Sequence, residues 1–477
     1  MRDDAKDPMQ RSTLCLCTML TVAIARPADS QATVHTTVLP AAAGGTTWEP
    51  TLAIDPSNPD RIIVGSMYDL APRGFRIWMW RTGDGGKTWA SGLLDPPRMP
   101  KIDIEPKWGA DVVAGFAEDG MPVVTTMSGV DELGGDTVGT FVSRFPRAPE
   151  LLAPTSVAPV FLHSVDSAAR RRVIYDKPWL VVDYQSRSSH RGTIYVSSAA
   201  MTTGMGIAGG GRAWTIYASR LVLAASRDGG RTFGAPVVVG DSSFGGELAV
   251  GANGALETTY LHLIGGRTDG AGDAVLHRRS TDGGKSFGPP VSVATLKGDS
   301  ILDLPSLGAR PNGDLMACWS QWSRTDESHN QVRCATRTAG AAWSTPHGID
   351  AALPPGTAAG WPAVVGTESG WYVMTYVTGR TRTEVVLLQS ADGATFSNVA
   401  TLAGAEGLGN DRFCLTAVST CHRKEKGKFS IGEYVSLDAR RGRIAAAYVL
   451  PRPDSVSTRA RRGTPAVYVT TLAEPPH

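Results

Sequence analysis

Three arginines recur at nearly constant intervals: Arg267, Arg324 and Arg380 stand 57 and 56 residues apart, and Arg452 lies in the next unit of the chain. A guanidinium grips a carboxylate through two parallel hydrogen bonds, so arginines gathered from such positions would clamp an acidic ligand. Separate solvated arginines are the competing reading, because loops are where unpaired Arg normally sits. A second series is acidic: Glu49, Glu105, Asp176, Glu247, Asp303 and Glu433 each open an apolar segment. Around a narrow mouth these carboxyls would raise one another's pKa values or attract a hard cation such as Ca²⁺, unless Lys107 and Lys177 neutralise part of the charge. Trp179, Trp322 and Trp361 fall beside the same segments, placed to stack on sugar rings or to pack against neighbouring strands. His262 and His329 lie in two of the arginine-bearing loops. No Cys or His spacing fits a zinc site.

For these residues to meet, their segments must be brought round a common axis, and the chain carries a repeat that would do so. Four segments share one design: TGDGGKTW from Thr82, SRDGGRTF from Ser226, STDGGKSF from Ser280 and the shortened SADGATF from Ser390. Each reads as a self-supporting turn, in which Asp84, Asp228, Asp282 or Asp392 bonds local amides, glycine takes positive φ and the final aromatic packs inward. A decayed copy, TRTAGAAW, starts at Thr336. Successive copies are 54 to 72 residues apart once the gap of 144 is read as two periods, which leaves one unit without a turn of this kind between residues 105 and 155. An independent series of unit starts (EPTLAIDP at 49, EPKWGADVVAGF at 105, DKPWLVVD at 176, GELAVGANG at 246, DLPSLGARPNG at 303, GWPAVVGTESG at 360, GEYVSLDARRG at 432) makes seven units. Regular antiparallel strands separated by turns predict an all-β, seven-bladed β-propeller of four-stranded antiparallel blades, with six blades as the alternative. The last unit has three obvious strands, so ATVHTTVL, from Ala32 to Leu39, is expected to complete it and close the ring.

The ends and the bulk composition set the setting. MRDDAKDP is too acidic to begin a signal peptide, but from Met9, the possible true start, Arg11 is followed by an apolar run from Ser12 to Ala25 and then small residues. The run is too short to span a bilayer and predicts an export signal over residues 1–32, with a single domain over 33–475 and a secreted or periplasmic product. Removing it leaves Cys318, Cys334, Cys414 and Cys421, an even number suited to an oxidising compartment. Cys318 with Cys334, on strands expected to be neighbours, and Cys414 with Cys421, across a short loop, are the expected pairs; free buried thiols are the alternative. A net charge of +2, with no basic stripe, gives no footprint for nucleic acid, and a monomer with no membrane attachment after cleavage is expected.

The four turns, together with EPTLAIDPSNPDRIIVGS and DKPWLVVD followed by HRGTIYV, resemble the BNR or Asp-box proteins of the sialidase superfamily over residues 33 to 475. The resemblance implies that the turns lie on the face opposite the active site. It also implies a carboxylate held by three arginines, a tyrosine nucleophile assisted by a glutamate, and an aspartate as acid. Tyr434 in GEYVSL matches the tyrosine strand with one residue added, Glu433 adjoins it, and Asp69 in SMYDLAPRG stands where the acid would be. On a strand adjacent residues point apart, so Glu247 or Glu49 are alternative partners for Tyr434. The family's Arg-Ile-Pro is replaced by Trp48-Glu49-Pro50, and its Glu-Pro-Ser by Leu304-Pro305-Ser306. The functions implied are a hydrolase acting on an acidic sugar held by Arg267, Arg324, Arg380 and Arg452, or a non-catalytic propeller that binds glycan or protein. A third is a polysaccharide lyase using Tyr with His262 or His329. No cofactor is implied, Ca²⁺ excepted.

Overall fold

The structure, a computed structural model, describes residues 34–41, 45–69, 75–95, 108–129, 138–162, 164–166, 171–208, 211–263, 274–295, 300–302, 304–323, 330–409, 413–414, 429–452 and 464–474. The leader, Arg267, Arg324, His329, Glu105, Lys107, Asp303 and Cys421 lie outside them.

Alternating apolar residues on short strands need a partner surface on both faces, and stacked sheets arranged in a ring provide it. Seven antiparallel sheets result, spanning residues 46–94, 108–162, 164–241, 243–295, 300–348, 358–406 and, for the seventh, 436–473 with 35–38. These are blades 1 to 7 of a β-propeller, and each corresponds to one unit of the sequence repeat. The short strand His35–Val38 pairs with Pro465–Ala473, His35 opposite Thr471 and Val38 opposite Tyr468, so chain start and chain end share blade 7. Thr36, Thr470 and Tyr448 then form a hydroxyl chain at 2.8 and 2.7 Å that fastens this strand from behind.

The cores lie between blades. On strand Ile62–Asp69, Ile62 and Val64 face blade 7, whereas Ile63 and Met67 face blade 2, as the twofold period of a strand dictates. Similar layers fill the other gaps, with Val142 and Ile194 between blades 2 and 3 and Val275 and Trp319 between blades 4 and 5. Cys318 and Cys334, directly opposite on neighbouring strands of blade 5, form a disulfide within the layer facing blade 6. Cys414 is also disulfide-bonded. Among the described residues no helix is long and apolar enough to cross a membrane.

The inner strand of each blade is a sheet edge, and its unpaired amides must be satisfied from elsewhere. Side chains of the preceding blade do this. Thr51 Oγ1 accepts from Ala114 N at 3.1 Å, Glu247 Oε2 from Leu307 N at 2.8 Å, Ser306 Oγ from Val364 N at 3.1 Å and Ser436 Oγ from Leu52 N at 3.1 Å. These four residues therefore hold equivalent positions in blades 1, 4, 5 and 7.

The Asp-centred turns join third to fourth strands, at the end of each blade away from the start of its inner strand. In SRDGGRTF, Asp228 Oδ1 accepts from Arg231 N and Thr232 N, both at 2.9 Å, Thr232 Oγ1 donates to Oδ2 at 2.6 Å, and Ser226 Oγ accepts from Gly230 N at 2.8 Å. The same set recurs around Asp84 and Asp282, and in the shortened copy Asp392 accepts from the amides two and three residues ahead. The Ser286 hydroxyl and local amides hold Asp282 down to about 2. In the decayed copy Asp314, from the neighbouring turn, accepts from Ala339 N at 3.1 Å in place of the missing carboxylate. Blade 2 has no such aspartate; there buried Arg144 reaches Gly229 O and Asp119.

Asp282→Ala is expected to cost about 1 kcal/mol, the usual worth of such a capping carboxylate. Because the folded value is depressed, this contribution is present above the ordinary value of 3.8 and fades as pH falls towards about 2. Urea denaturation of both proteins at neutral and acid pH measures it.

Candidate functional site

Positions equivalent to Thr51 fix the phase of every blade, and two residues before them stands a residue that faces the axis. In the seven blades these are Glu49, Asp111, Lys177, Gly245, Leu304, Trp361 and Tyr434. In five blades the inner strand bulges here, and Glu49, Asp111, Lys177 and Trp361 take φ of 52°, 48°, 50° and 57°, with Gly245 at 53°. Left-handed backbone at a non-glycine residue costs about 1–3 kcal/mol and persists only where the surroundings enforce it. Four such residues at one level of the ring mark it as a place where side-chain direction matters more than backbone comfort.

Lys177 is at the centre. Its Nζ lies 2.6 Å from Glu433 Oε2, 3.3 Å from Asp111 Oδ1 and 3.6 Å from Glu49 Oε2, while its backbone N–H donates to Asp176 Oδ1 at 3.0 Å. Blades 1, 2, 3 and 7 thus meet through one ammonium. Burial by itself would discharge Lys177, but Asp111, Glu433 and Glu49 outweigh it and hold its pKa well above the ordinary value. Burial works on the carboxyls too. It lifts Glu49 to about 8 despite Lys177, and it lifts Asp176 far up with help from the Asp111 charge. Asp111 resists the same burial because Lys177 and the hydrogen bond from Asp176 favour its ionised form, and its value is lowered.

A cavity of ≈ 30 Å³ adjoins the cluster, walled by Lys177, Trp179, Trp361, Glu247, Glu433 and Tyr434 together with prolines 178, 305 and 362. That is room for a water or two, or for one small exocyclic group. Tyr434 is 8% exposed, its hydroxyl has no hydrogen-bond partner among the described residues, and burial beside Glu49 and Asp111 pushes its phenol well above 10. Trp179 meets its ring edge-on at 6.2 Å, and Lys177 Nζ lies 5.4 Å from its centroid. Glu433 and Tyr434 both line the cavity because they precede the strand Ser436–Arg440 and escape its alternation. Glu247 does with a carboxyl what Thr51, Ser306 and Ser436 do with a hydroxyl, and burial lifts it to about 8 against the Leu307 N–H and the Ser306 hydroxyl, which both bond it. Beneath, a channel of ≈ 250 Å³ runs between the inner strands of all seven blades.

The remaining expected residues stand further out. Asp69 ends the second strand of blade 1, half-buried, opposite Thr46 and Phe75. Arg380 is exposed on the turn after Trp371–Thr378, and Arg452 follows Arg443–Pro451, near enough to Tyr68 to lower that phenol's value in part. Among the described contacts neither Asp69 nor Arg380 touches the Lys177 cluster. Among the described residues no group of three or more His, Cys, Asp or Glu is placed to hold a metal ion, and the Lys177 ammonium fills the centre of the carboxyl ring where Ca²⁺ was considered. Asp111 was not anticipated. The dipeptide Glu105-Pro106 copies Glu49-Pro50 and draws the unit start six residues early; the later spacing to the first hairpin, from Asp111 to Ala117 as from Glu49 to Asp55, carries the correct phase.

No family model matches the chain, and no curated protein matches it. Among solved structures, a protein of unknown function from Dyadobacter fermentans is similar at 12% identity and a TM-score of 0.48, covering 93% of this chain and 99% of that one. An α-L-arabinanase from Penicillium chrysogenum, complexed with arabinobiose, is similar at 13% identity and a TM-score of 0.44, over 76% of this chain and 92% of the other. A Hadza microbial sialidase gives 13% identity and a TM-score of 0.42 over 84% and 74%. Likeness at this level carries no argument about activity.

Lys177→Met is expected to destabilise by about 3–5 kcal/mol, because it strands buried carboxyls without their cation. Glu247 gives a pH test: its folded value of about 8 lies above the ordinary 4.5, so its own contribution to stability is full below pH 4.5 and falls as pH rises towards 8. Glu247→Gln should show a shallower fall across that window in urea titrations.

Proposed function

We propose that the protein is a carbohydrate-active propeller, a glycoside hydrolase that works at the Lys177-centred mouth. The observation that carries this reading is that two carboxyl side chains from different blades, Glu247 and Glu433, line one cavity under opposite conditions. Glu247 keeps its proton at neutral pH, whereas Glu433 is ion-paired with Lys177. Cleavage of a glycosidic bond asks for that division between a proton donor and a carboxylate. Glu247, held by Leu307 N–H and the Ser306 hydroxyl, would give its proton to the leaving oxygen. Glu433, oriented by Lys177, would stabilise or trap the positive charge developing at the anomeric carbon. Tyr434, still protonated, has a hydroxyl to donate to the sugar, and Trp179 and Trp361 provide apolar wall. The cavity takes one exocyclic group, so the ring would lie across the mouth rather than within it. Residues 1–32, read as an export signal, would put this activity outside the cytoplasm.

A second assignment follows the family resemblance: Tyr434 as nucleophile assisted by Glu433, Asp69 as acid, and Arg267, Arg324, Arg380 and Arg452 holding an acidic sugar. Lys177, 5.4 Å from the Tyr434 ring, favours it by stabilising a phenolate; burial beside Glu49 and Asp111 opposes it.

The test is turnover of neutral, amino and acidic oligosaccharides by purified protein. Glu433→Gln and Glu247→Gln should each lower kcat by about 100-fold or more. Activity should fall above about pH 8, where Glu247 loses its proton. Tyr434→Phe should retain turnover under the first assignment and lose it under the second. Glycan binding with no turnover on any substrate would make the protein a non-catalytic binding propeller.

A further inference from the structure

We propose that the cavity at the mouth selects a sugar bearing a free amino group, whose ammonium enters between Glu433, Glu247 and the rings of Trp179, Trp361 and Tyr434. This rests on the reading of the mouth as a glycan site and names the class of glycan.

Charge is the first reason. Among the described residues Glu49, Asp111, Asp176, Glu247 and Glu433 surround or adjoin one ammonium, that of Lys177. Counting only Asp111 and Glu433, the two carboxylates paired most closely with Lys177, one negative charge already remains after that lysine is neutralised. A ligand carboxylate would meet like charge there, and an ammonium would meet its opposite. The second reason is the wall. A cation is attracted to the faces of Trp and Tyr, and rings combined with carboxylates are the usual surroundings of a bound ammonium. Lys177 already shows the match, with its Nζ 5.4 Å from the centre of the Tyr434 ring. The third reason is the Tyr434 hydroxyl, nine-tenths buried on the cavity and without a hydrogen-bond partner among the described residues. A buried polar group left unmade costs about 1–3 kcal/mol, so a ligand that meets it gains accordingly. Size is the last: ≈ 30 Å³ admits an ammonium at a ring carbon and is small for an N-acetyl group in the same place.

The experiment measures binding of glucosamine disaccharide, its N-acetylated counterpart and a glucuronate-containing disaccharide to the whole protein by calorimetry, at a pH where the amine is charged, with turnover of each followed in parallel. The amino form is expected to bind about tenfold more tightly than the N-acetyl form. Methylammonium chloride should compete with it, added sodium chloride should weaken the preference, and Glu433→Gln should abolish it. Should that variant not fold, the wild-type comparison decides alone. Equal affinity for the amino and N-acetyl forms, or tighter binding of the uronate, would overturn the inference. Hydrolysis of neutral glycans without amine preference would overturn this inference and leave the hydrolase reading intact; amine-selective binding with no turnover of any glycan would do the reverse.

Discussion

Charge can be taken out of water only where it is paired, and at the mouth of this ring a single ammonium does the pairing for several carboxyls at once. Lys177 draws Asp111, Glu49 and Glu433 from three other blades to within 3.6 Å of one atom. The ammonium keeps Asp111 ionised against burial, and its supply of positive charge is too small for the rest, so Glu49 and Asp176 are left to hold protons instead. Among the described residues a mixed population of protonated and ionised groups follows from this shortage of cation. That mixture is what gives the mouth its potential for acid and base chemistry.

The backbone accepts strain to make this arrangement. Glu49, Asp111 and Lys177 all adopt left-handed φ at matching bulges, and Trp361 does so on the far side of the ring. A regular strand would turn each of these side chains sideways into an inter-blade layer, where the cores consist of Val, Ile, Leu and aromatic residues. The bulge instead aims charge at the axis and leaves the layers apolar. Glycine could take the same backbone without cost, as Gly245 does, but would bring no functional group.

Stability is supplied elsewhere. The hydroxyls of Thr51, Ser306 and Ser436 tie the inner edges of blades 1, 5 and 7 to the next blade, the strand His35–Val38 closes blade 7, and the Asp-centred turns lock the opposite end. The turns and the charged cluster occupy opposite ends of the blades. The mouth can therefore carry strain and unmet polar groups while the Asp-centred turns hold the other face.

The propeller was legible in the sequence because its signals are local and repeated. An aspartate that bonds amides three and four residues ahead needs nothing from the rest of the chain, so SRDGGRTF and its copies read directly as turns, and their spacing counts blades. The acidic residues near the unit starts and the role of Lys177 as a neutralising partner were also visible, although only Glu49 holds the axial position itself, with Asp176 and Glu433 one residue before it and Glu247 two after. What only the tertiary structure decided is which of these residues meet. Residues 49, 111, 177 and 433 belong to four blades, and a one-position change in a bulge sends any of them elsewhere. Asp111 escaped notice because no proline follows it and because Glu105-Pro106 mimics the motif six residues early. Pairing across a ring is a property of its closure, and no stretch of sequence shorter than the ring contains it.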